Sequence, residues 1–203
     1  MKKFLIAAML AFAFLAPQAN AAVEIGKAAP NHTFKDIAGK EHSIAGFKGK
    51  TVVLEWTNPG CPFVRKFYGA GEMQRVQSVA LKDKNVVWIS INSSAEGKEG
   101  NLTNDTAKKW IAEQKSNTSA YVLDASGEFG NLYGAKTTPH LFVIDKAGIV
   151  QYQGAIDSIK SADSDDIKKA DNYVLKALAA LKDGSKVEPS STQPYGCSVK
   201  YAD

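Results

Sequence analysis

Residues 51–64 read Thr-Val-Val-Leu-Glu-Trp-Thr-Asn-Pro-Gly-Cys-Pro-Phe-Val. The first six, Thr51 to Trp56, are β-rich and mostly apolar, the composition of a buried strand. Asn58-Pro59-Gly60 ends it. From Pro62 a helical pattern runs to about Lys82. Val64, Phe67 and Tyr68, then Met73, Val76 and Val79, form its apolar side, with a kink expected at Gly69 and Gly71. Pro62 stands where a helix tolerates proline, because the first turn leaves that N–H unpaired in any case. Cys61 therefore lies between a buried strand and a helix start. Unpaired N–H groups and the positive end of the helix dipole stabilise a thiolate there and lower the thiol pKa. A lone cysteine elsewhere is more often a small buried hydrophobe; this placement favours a functional thiol.

Elements of alternating type surround this stretch. Thr33 to Ile44 reads as a hairpin about Asp36-Ile37-Ala38-Gly39. Asn85 to Asn92 is a second buried strand, and Ser93 to Asn101 a polar loop. Thr103 caps a helix from Asn104 to about Gln114, with Trp110 and Ile111 inward. Tyr121 to Asp124 is a third strand and Phe129 to Tyr133 a short helix closed by Gly134. His140 to Asp145 and Ile149 to Tyr152 form an antiparallel pair turned by Lys146-Ala147-Gly148. Asp165 to Lys182 reads as one amphipathic helix, and the tail from Ser185 is polar, extended and has little core to join. The early βαβ units imply parallel pairing with right-handed crossovers. The expected fold is an α/β mixed sheet with helices on both faces.

The first residues read as an export signal. Lys2 and Lys3 precede an apolar run from Phe4 to Ala16, and Ala19-Asn20-Ala21 gives the small-x-small pattern of a cleavage site. The run is shorter than the ~20 residues a spanning helix needs. Cleavage after Ala21 takes two lysines away and lowers the formal net charge from +4 to +2. The expected organisation is a signal peptide at 1–21, a domain at 22–184 and a tail at 185–203. The remainder holds no further segment fit to span a membrane. It has no basic stripe with interleaved aromatics, which argues against nucleic acid as a partner. Its two cysteines, Cys61 and Cys197, do not make a disulfide-dense scaffold, yet an oxidising compartment such as the periplasm permits them to pair once.

Thr138-Pro139 precedes a buried strand. That proline is either an edge device or the site of a cis peptide. No zinc-ligand spacing links His32, His42 and His140. Glu55 is either a strand-end carboxylate or a buried acid near the thiol, and the first reading is preferred.

Trp56 to Val64 resembles the active-site turn of thioredoxin-like proteins. Residues 134–145, Gly-Ala-Lys-Thr-Thr-Pro-His-Leu-Phe-Val-Ile-Asp, resemble their Thr-cis-Pro loop and the strand after it. Ala29-Pro30 with Phe34, Gly39 and residues 46–50 resembles the N-terminal segment shared by peroxiredoxins and periplasmic thioredoxin-like proteins. In order and spacing the chain is similar to the redoxin (AhpC/TSA-type, peroxiredoxin-like) group of the thioredoxin superfamily. Exported members carrying Gly-Cys-Pro-Phe-Val and a C-terminal Gly-Cys-Ser-Val-Lys-Tyr are the nearest in pattern.

The resemblance implies a thioredoxin-like fold with an N-terminal β-hairpin extension and an extended C-terminal tail. It implies a nucleophilic Cys61 and a cis Pro139 facing it, with Thr138 offering backbone hydrogen bonds to a bound partner. Trp56, Pro62 and Arg65 would support the site, Arg65 by lowering the Cys61 pKa from one helical turn away. No cofactor or metal is implied. The departures are specific. The second cysteine of Cys-x-x-Cys is Val64 here. The Pro and Thr of the peroxiredoxin Pro-x-x-x-Thr-x-x-Cys turn are Leu54 and Asn58. The Cys-x-x-x-Cys pair of copper-delivery relatives is missing too.

Cys197 then has three readings. It resolves an oxidised Cys61 or a mixed disulfide, it staples the tail permanently, or it makes an intermolecular bond. A Cys61–Cys197 bond would close a loop worth roughly 4–5 kcal/mol on chain-entropy grounds. The expected function is periplasmic thiol-disulfide exchange with protein thiols and disulfides as partners. The alternatives are a peroxiredoxin-like peroxidase acting on small peroxides, with an antioxidant role, and a non-catalytic binding protein with a structural disulfide.

Overall fold

The computed structural model describes residues 23–202; the signal-peptide reading falls outside them. The elements that carry the site begin with strand β1 (Thr33–Lys35) and strand β2 (Glu41–Ser43), an antiparallel hairpin. Strand β3 (Thr51–Trp56) leads to helix α1 (Pro62–Gly69), helix α2 (Glu72–Ala80) and strand β4 (Val86–Asn92). Helix α3 (Asn104–Gln114), strand β5 (Ala120–Leu123) and helix α4 (Glu128–Tyr133) follow. The chain then forms the short strand β6 (Thr137–Thr138), strands β7 (His140–Ile144) and β8 (Val150–Gly154), helix α5 (Tyr173–Asp183) and a last short strand β9 (Cys197–Ser198).

Among these residues the central sheet runs in the order β5-β4-β3-β7-β8. β3, β4 and β5 pair in parallel, and β7 and β8 add antiparallel strands. Strand alternation divides the core. Val52, Leu54 and Trp56 face a cluster with Phe129, Tyr133 and Phe142, which α4 covers. Val53 faces the opposite cluster, where Val64 and Phe67 of α1, Met73 and Val76 of α2 and Val174 of α5 pack. The sheet is thus covered on both sides, as the βαβ order requires. This is a thioredoxin-like α/β fold.

Three local readings are corrected. The helix expected from Pro62 to Lys82 is two helices. Gly71 adopts φ +74°, a left-handed conformation that stops α1 and starts α2. The helix expected from Asp165 to Lys182 also divides, into a 3-10 turn at Ser164–Lys169 and α5. The junction is tied down elsewhere: the Tyr173 N–H donates to Ile156 O at 3.0 Å, and the Asn172 side chain accepts from Leu175 N–H at 2.9 Å to cap a new helix.

The third correction concerns the tail, which does join the core. Val187, Tyr195 and Val199 are buried. Gln153 N–H donates to Ser190 O, and Thr192 N–H to Gln153 O, so the tail runs along the outer edge of β8. β9 then pairs antiparallel with β6. Edge backbone groups that would otherwise stay open are thereby satisfied.

Candidate functional site

Cys61 is the N-cap residue of α1, with φ −73° and ψ 124°, and Pro62 opens the first turn. The turn before it is built by Asn58. Its side-chain oxygen accepts from Gly60 N–H at 2.7 Å, and its amide donates to Ser94 Oγ at 3.1 Å and to Glu99 O at 3.0 Å. Gly100 packs directly against that amide, where a Cβ would fall 2.0 Å from Asn58 Oδ1. The Cys61 N–H closes the turn on Asn58 O at 3.1 Å.

The peptide bond Thr138–Pro139 is cis. It carries the Thr138 carbonyl to the thiol: Cys61 Sγ donates to Thr138 O at 3.0 Å. In the β6–β9 register Thr138 stands opposite Cys197. Gly196 makes the approach feasible. Its φ is +134°, and a Cβ there would lie 2.1 Å from Thr138 O. Both cysteines are free thiols, and Cys61 is 1% exposed beneath the tail.

The two thiols are shifted in opposite directions. Burial pushes the Cys61 thiol up, but hydrogen bonds with the Cys197 side chain, Thr138 and the backbone N–H groups of Val64 and Cys197 outweigh it. The result lies below the ordinary value of 9.0. The Thr138 contribution comes from its side chain: the hydroxyl, buried with no other hydrogen-bond partner among the described residues, is free to donate to the thiolate, whereas the Thr138 carbonyl accepts only from the thiol. Cys197 is pushed up to about 12 by burial, reinforced by the hydrogen bond to Cys61 and by its charge.

The other expected site residues sit elsewhere. Trp56 is fully buried on the α4 side of the sheet, its indole N–H donating to Ser93 Oγ at 3.1 Å. Ser93 Oγ in turn donates to Asp124 at 2.6 Å, and Asp124 also accepts from Phe129 and Gly130 N–H, which fixes the start of α4. Trp56 thus supports the scaffold beneath the turn. Arg65 is exposed and is not among the main influences on the Cys61 thiol. The basic side chain that α1 buries is the next one, Lys66. His140 is also buried, its ring tilted against that of Phe142 with centroids 4.5 Å apart. Its Nδ1 accepts from Lys136 N–H, and burial lowers its pKa to about 3. Among the described residues no group of three His, Cys, Asp or Glu side chains is placed to hold a metal ion.

Glu55 departs from the preferred strand-end reading. It lies in the central strand at 0% exposure and accepts hydrogen bonds from Tyr68 Oη at 2.9 Å, Trp88 Nε1 at 2.8 Å and Ser90 Oγ at 3.0 Å. Burial raises its pKa against those donors. A single acid in an apolar strand hides its partners, because they come from α1 and β4. Asn58 was legible only as a strand breaker. The signal for the tail contact is Gly196 immediately before Cys197, where a side chain would clash with the Thr138 carbonyl.

The fold and the helix-start thiol define a redoxin of the thioredoxin superfamily. A match to the AhpC/TSA family spans residues 25–153, and the chain belongs to that family. It is 31% identical over 130 residues to the thiol-disulfide oxidoreductase ResA of Bacillus thuringiensis subsp. konkukian, covering 63% of this chain and 68% of that protein. Its fold is similar to that of a hypothetical protein from Sinorhizobium meliloti, with a TM-score of 0.72 at 20% identity over 90% of this chain and 97% of that one. A putative thiol:disulfide interchange protein DsbE from Chlorobium tepidum superposes with a TM-score of 0.56 at 23% identity, over 77% and 99% of the respective chains.

Proposed function

We propose that this protein is a thiol-disulfide oxidoreductase that works in the periplasm, with Cys61 as nucleophile and Cys197 as resolving thiol. The observation that carries the reading is the pairing of Cys197 with Thr138 while Cys61 Sγ bonds the Thr138 carbonyl, which brings together two free thiols that are distant in sequence. Membership of the family and the similarity to a thiol-disulfide oxidoreductase support it. Export rests on Lys2, Lys3 and Ala19-Asn20-Ala21, with a mature chain of domain 22–184 and tail 185–203. Among the described residues no helix is long and apolar enough to cross a membrane.

The Cys61 thiolate attacks one sulfur of a partner disulfide, forming a mixed disulfide and releasing one partner thiolate. Cys61 then carries no charge. Two of the influences that hold Cys197 near 12, the charge and the thiolate acceptor at Cys61, disappear. Cys197 loses its proton more readily and attacks Cys61 Sγ. The second partner thiolate leaves, and a Cys61–Cys197 disulfide remains. Two electrons have passed to the partner, and an external dithiol restores the reduced pair by the reverse exchange. Run in the opposite sense, the same steps oxidise a partner dithiol.

A peroxide-reducing site would need donors from the turn before Cys61. Leu54 is core there, and the Asn58 amide is already engaged. The test is a redox titration of the full mature chain with mass mapping. Exchange predicts a Cys61–Cys197 bond formed in one turnover with a model protein disulfide and readily reduced by small dithiols. A bond those dithiols leave intact rejects the reading in favour of a static staple, and a Cys61→Ser variant with unchanged exchange rejects Cys61 as the nucleophile.

A further inference from the structure

A buried charged cluster lies beside the thiol pair and takes no part in the exchange steps. Lys66 sits on α1, the helix that Cys61 caps, and its side chain is 0% exposed. Its ammonium donates to Ser161 O at 2.9 Å, lies 3.9 Å from Asp157 Oδ2 and stands 4.9 Å from the centre of the Phe67 ring. Asp157 follows β8 and is 4% exposed. Its Oδ1 accepts from the Tyr195 hydroxyl and from Ile159 N–H at 3.2 Å, while Oδ2 has no hydrogen-bond partner among the described residues. Tyr195 is buried in the tail, edge-on to Phe63 of α1 at 5.8 Å.

Three segments therefore meet at Asp157: the helix that begins at Cys61, the loop after β8 and the tail that carries Cys197. A buried ion pair with a long contact and an unsatisfied oxygen is weak support for stability, since desolvation cancels most of the attraction. Its placement supplies another use. Tyr195 and Cys197 are separated only by Gly196, so their Cα atoms lie within about 7 Å of each other, and a fixed phenol anchors the segment that carries Cys197. Cys197 of the same tail packs against the cluster that holds Cys61, which is 1% exposed.

We infer that Asp157, backed by Lys66, is a positioning residue: by holding the Tyr195 hydroxyl it sets Cys197 against Cys61 and keeps the tail closed over the nucleophile. The inference rests on the reading of Cys61 and Cys197 as an exchange pair. The latch acts oppositely on the two steps, favouring closure of the internal disulfide and slowing entry of an outside partner.

The experiment uses the full mature chain and its Tyr195→Phe variant, with dithiobis(nitrobenzoate) as the disulfide. The first release of nitrothiobenzoate reports attack by Cys61, and the second reports closure by Cys197. Loss of a hydrogen bond to a charged group is expected to slow the second release roughly tenfold and to speed the first by a similar factor. The internal disulfide should become correspondingly easier to reduce, by about 30 mV for a tenfold change. Maleimide labelling of Cys61 in a Cys197→Ser background gives a readout that does not depend on exchange, and Tyr195→Phe should accelerate it. Asp157→Asn, which keeps an acceptor for the phenol, should stay closer to the parent than Asp157→Ala. These variants also replace Tyr195→Phe should that chain not fold. Equal release and labelling rates in parent and variant, or an Asp157→Ala chain that closes as fast as the parent, overturn the latch. A parent that releases once and never closes rejects the exchange reading, and the labelling rates still judge the latch.

Discussion

Cys61 and Cys197 meet at one point of the molecule, yet the two regions that bring them there are built differently. Cys61 sits on a turn between a strand in the middle of the sheet and the helix packed on it, inside the segment that matches the family. Local geometry supplies the N–H of Val64 and the Asn58 turn, Thr138 comes from the cis-proline loop, and Cys197 adds hydrogen bonds from the tail. Cys197 lies beyond that segment, on a strand of two residues. Its environment is borrowed from distant parts of the chain: β6 opposite, Asp157 behind Tyr195, and Cys61 itself. The thiol whose pKa is lowered stands on the scaffold but draws hydrogen bonds from the tail, and the thiol whose pKa is raised is the one the tail delivers. In the exchange we propose, the scaffold places the nucleophile, while its pKa and its resolution both depend on how the tail is held.

The largest test of that contrast is removal of each thiol in turn. Cys61→Ser should abolish exchange with a protein disulfide, read as loss of turnover. Cys197→Ala should leave attack in place but trap the mixed disulfide, seen as a covalent adduct by mass spectrometry. It should also raise the Cys61 pKa towards the ordinary value, because a hydrogen bond that lowers it is gone. The alkylation rate against pH measures this. In the parent the rate should climb and level below the ordinary thiol range, and in Cys197→Ala the curve should move to higher pH. An unmoved curve would show that the helix start alone sets the thiol.

Gly196→Ala tests the tail's approach. A left-handed backbone position and a Cβ placed against the Thr138 carbonyl should cost about 1–3 kcal/mol, read from the denaturant midpoint. Loosening of β9 should accompany it as faster labelling of Cys61.

Glu55 sharpens the scaffold half of the comparison through pH. Burial raises its folded pKa above the ordinary 4.5. In the window between those values the folded chain holds a proton that the unfolded chain has lost. The stability linked to Glu55 is thus full below the ordinary value and is lost as pH rises through the raised one. Glu55→Gln should remove this fall from a plot of urea midpoint against pH. The smallest effect belongs to Arg65→Ala, which should change the exchange rate less than about threefold, as expected for an exposed side chain away from the thiol's main partners.

The extent to which the sequence could be read follows from the range of the interactions involved. Thr51–Trp56 and Asn104–Gln114 match the observed strand and helix end to end, because apolar continuity in one and the Thr103 cap in the other act within a few residues. The helical pattern is interrupted where one backbone conformation or one tertiary hydrogen bond outweighs it, at Gly71 and at Asn172. Glu55 shows its polarity in the chain but not its donors, which lie on α1 and β4.

What the sequence determined by itself was the α/β order and a cysteine at a helix start, since both depend on neighbours along the chain. What only the tertiary structure decided was the company that cysteine keeps. A polar tail of mixed composition has no periodic signal to say where it lies. Its course is set by the open edge of β8, the gap that Gly196 leaves at Thr138 and the carboxylate waiting for Tyr195, groups separated by tens of residues and brought together by folding.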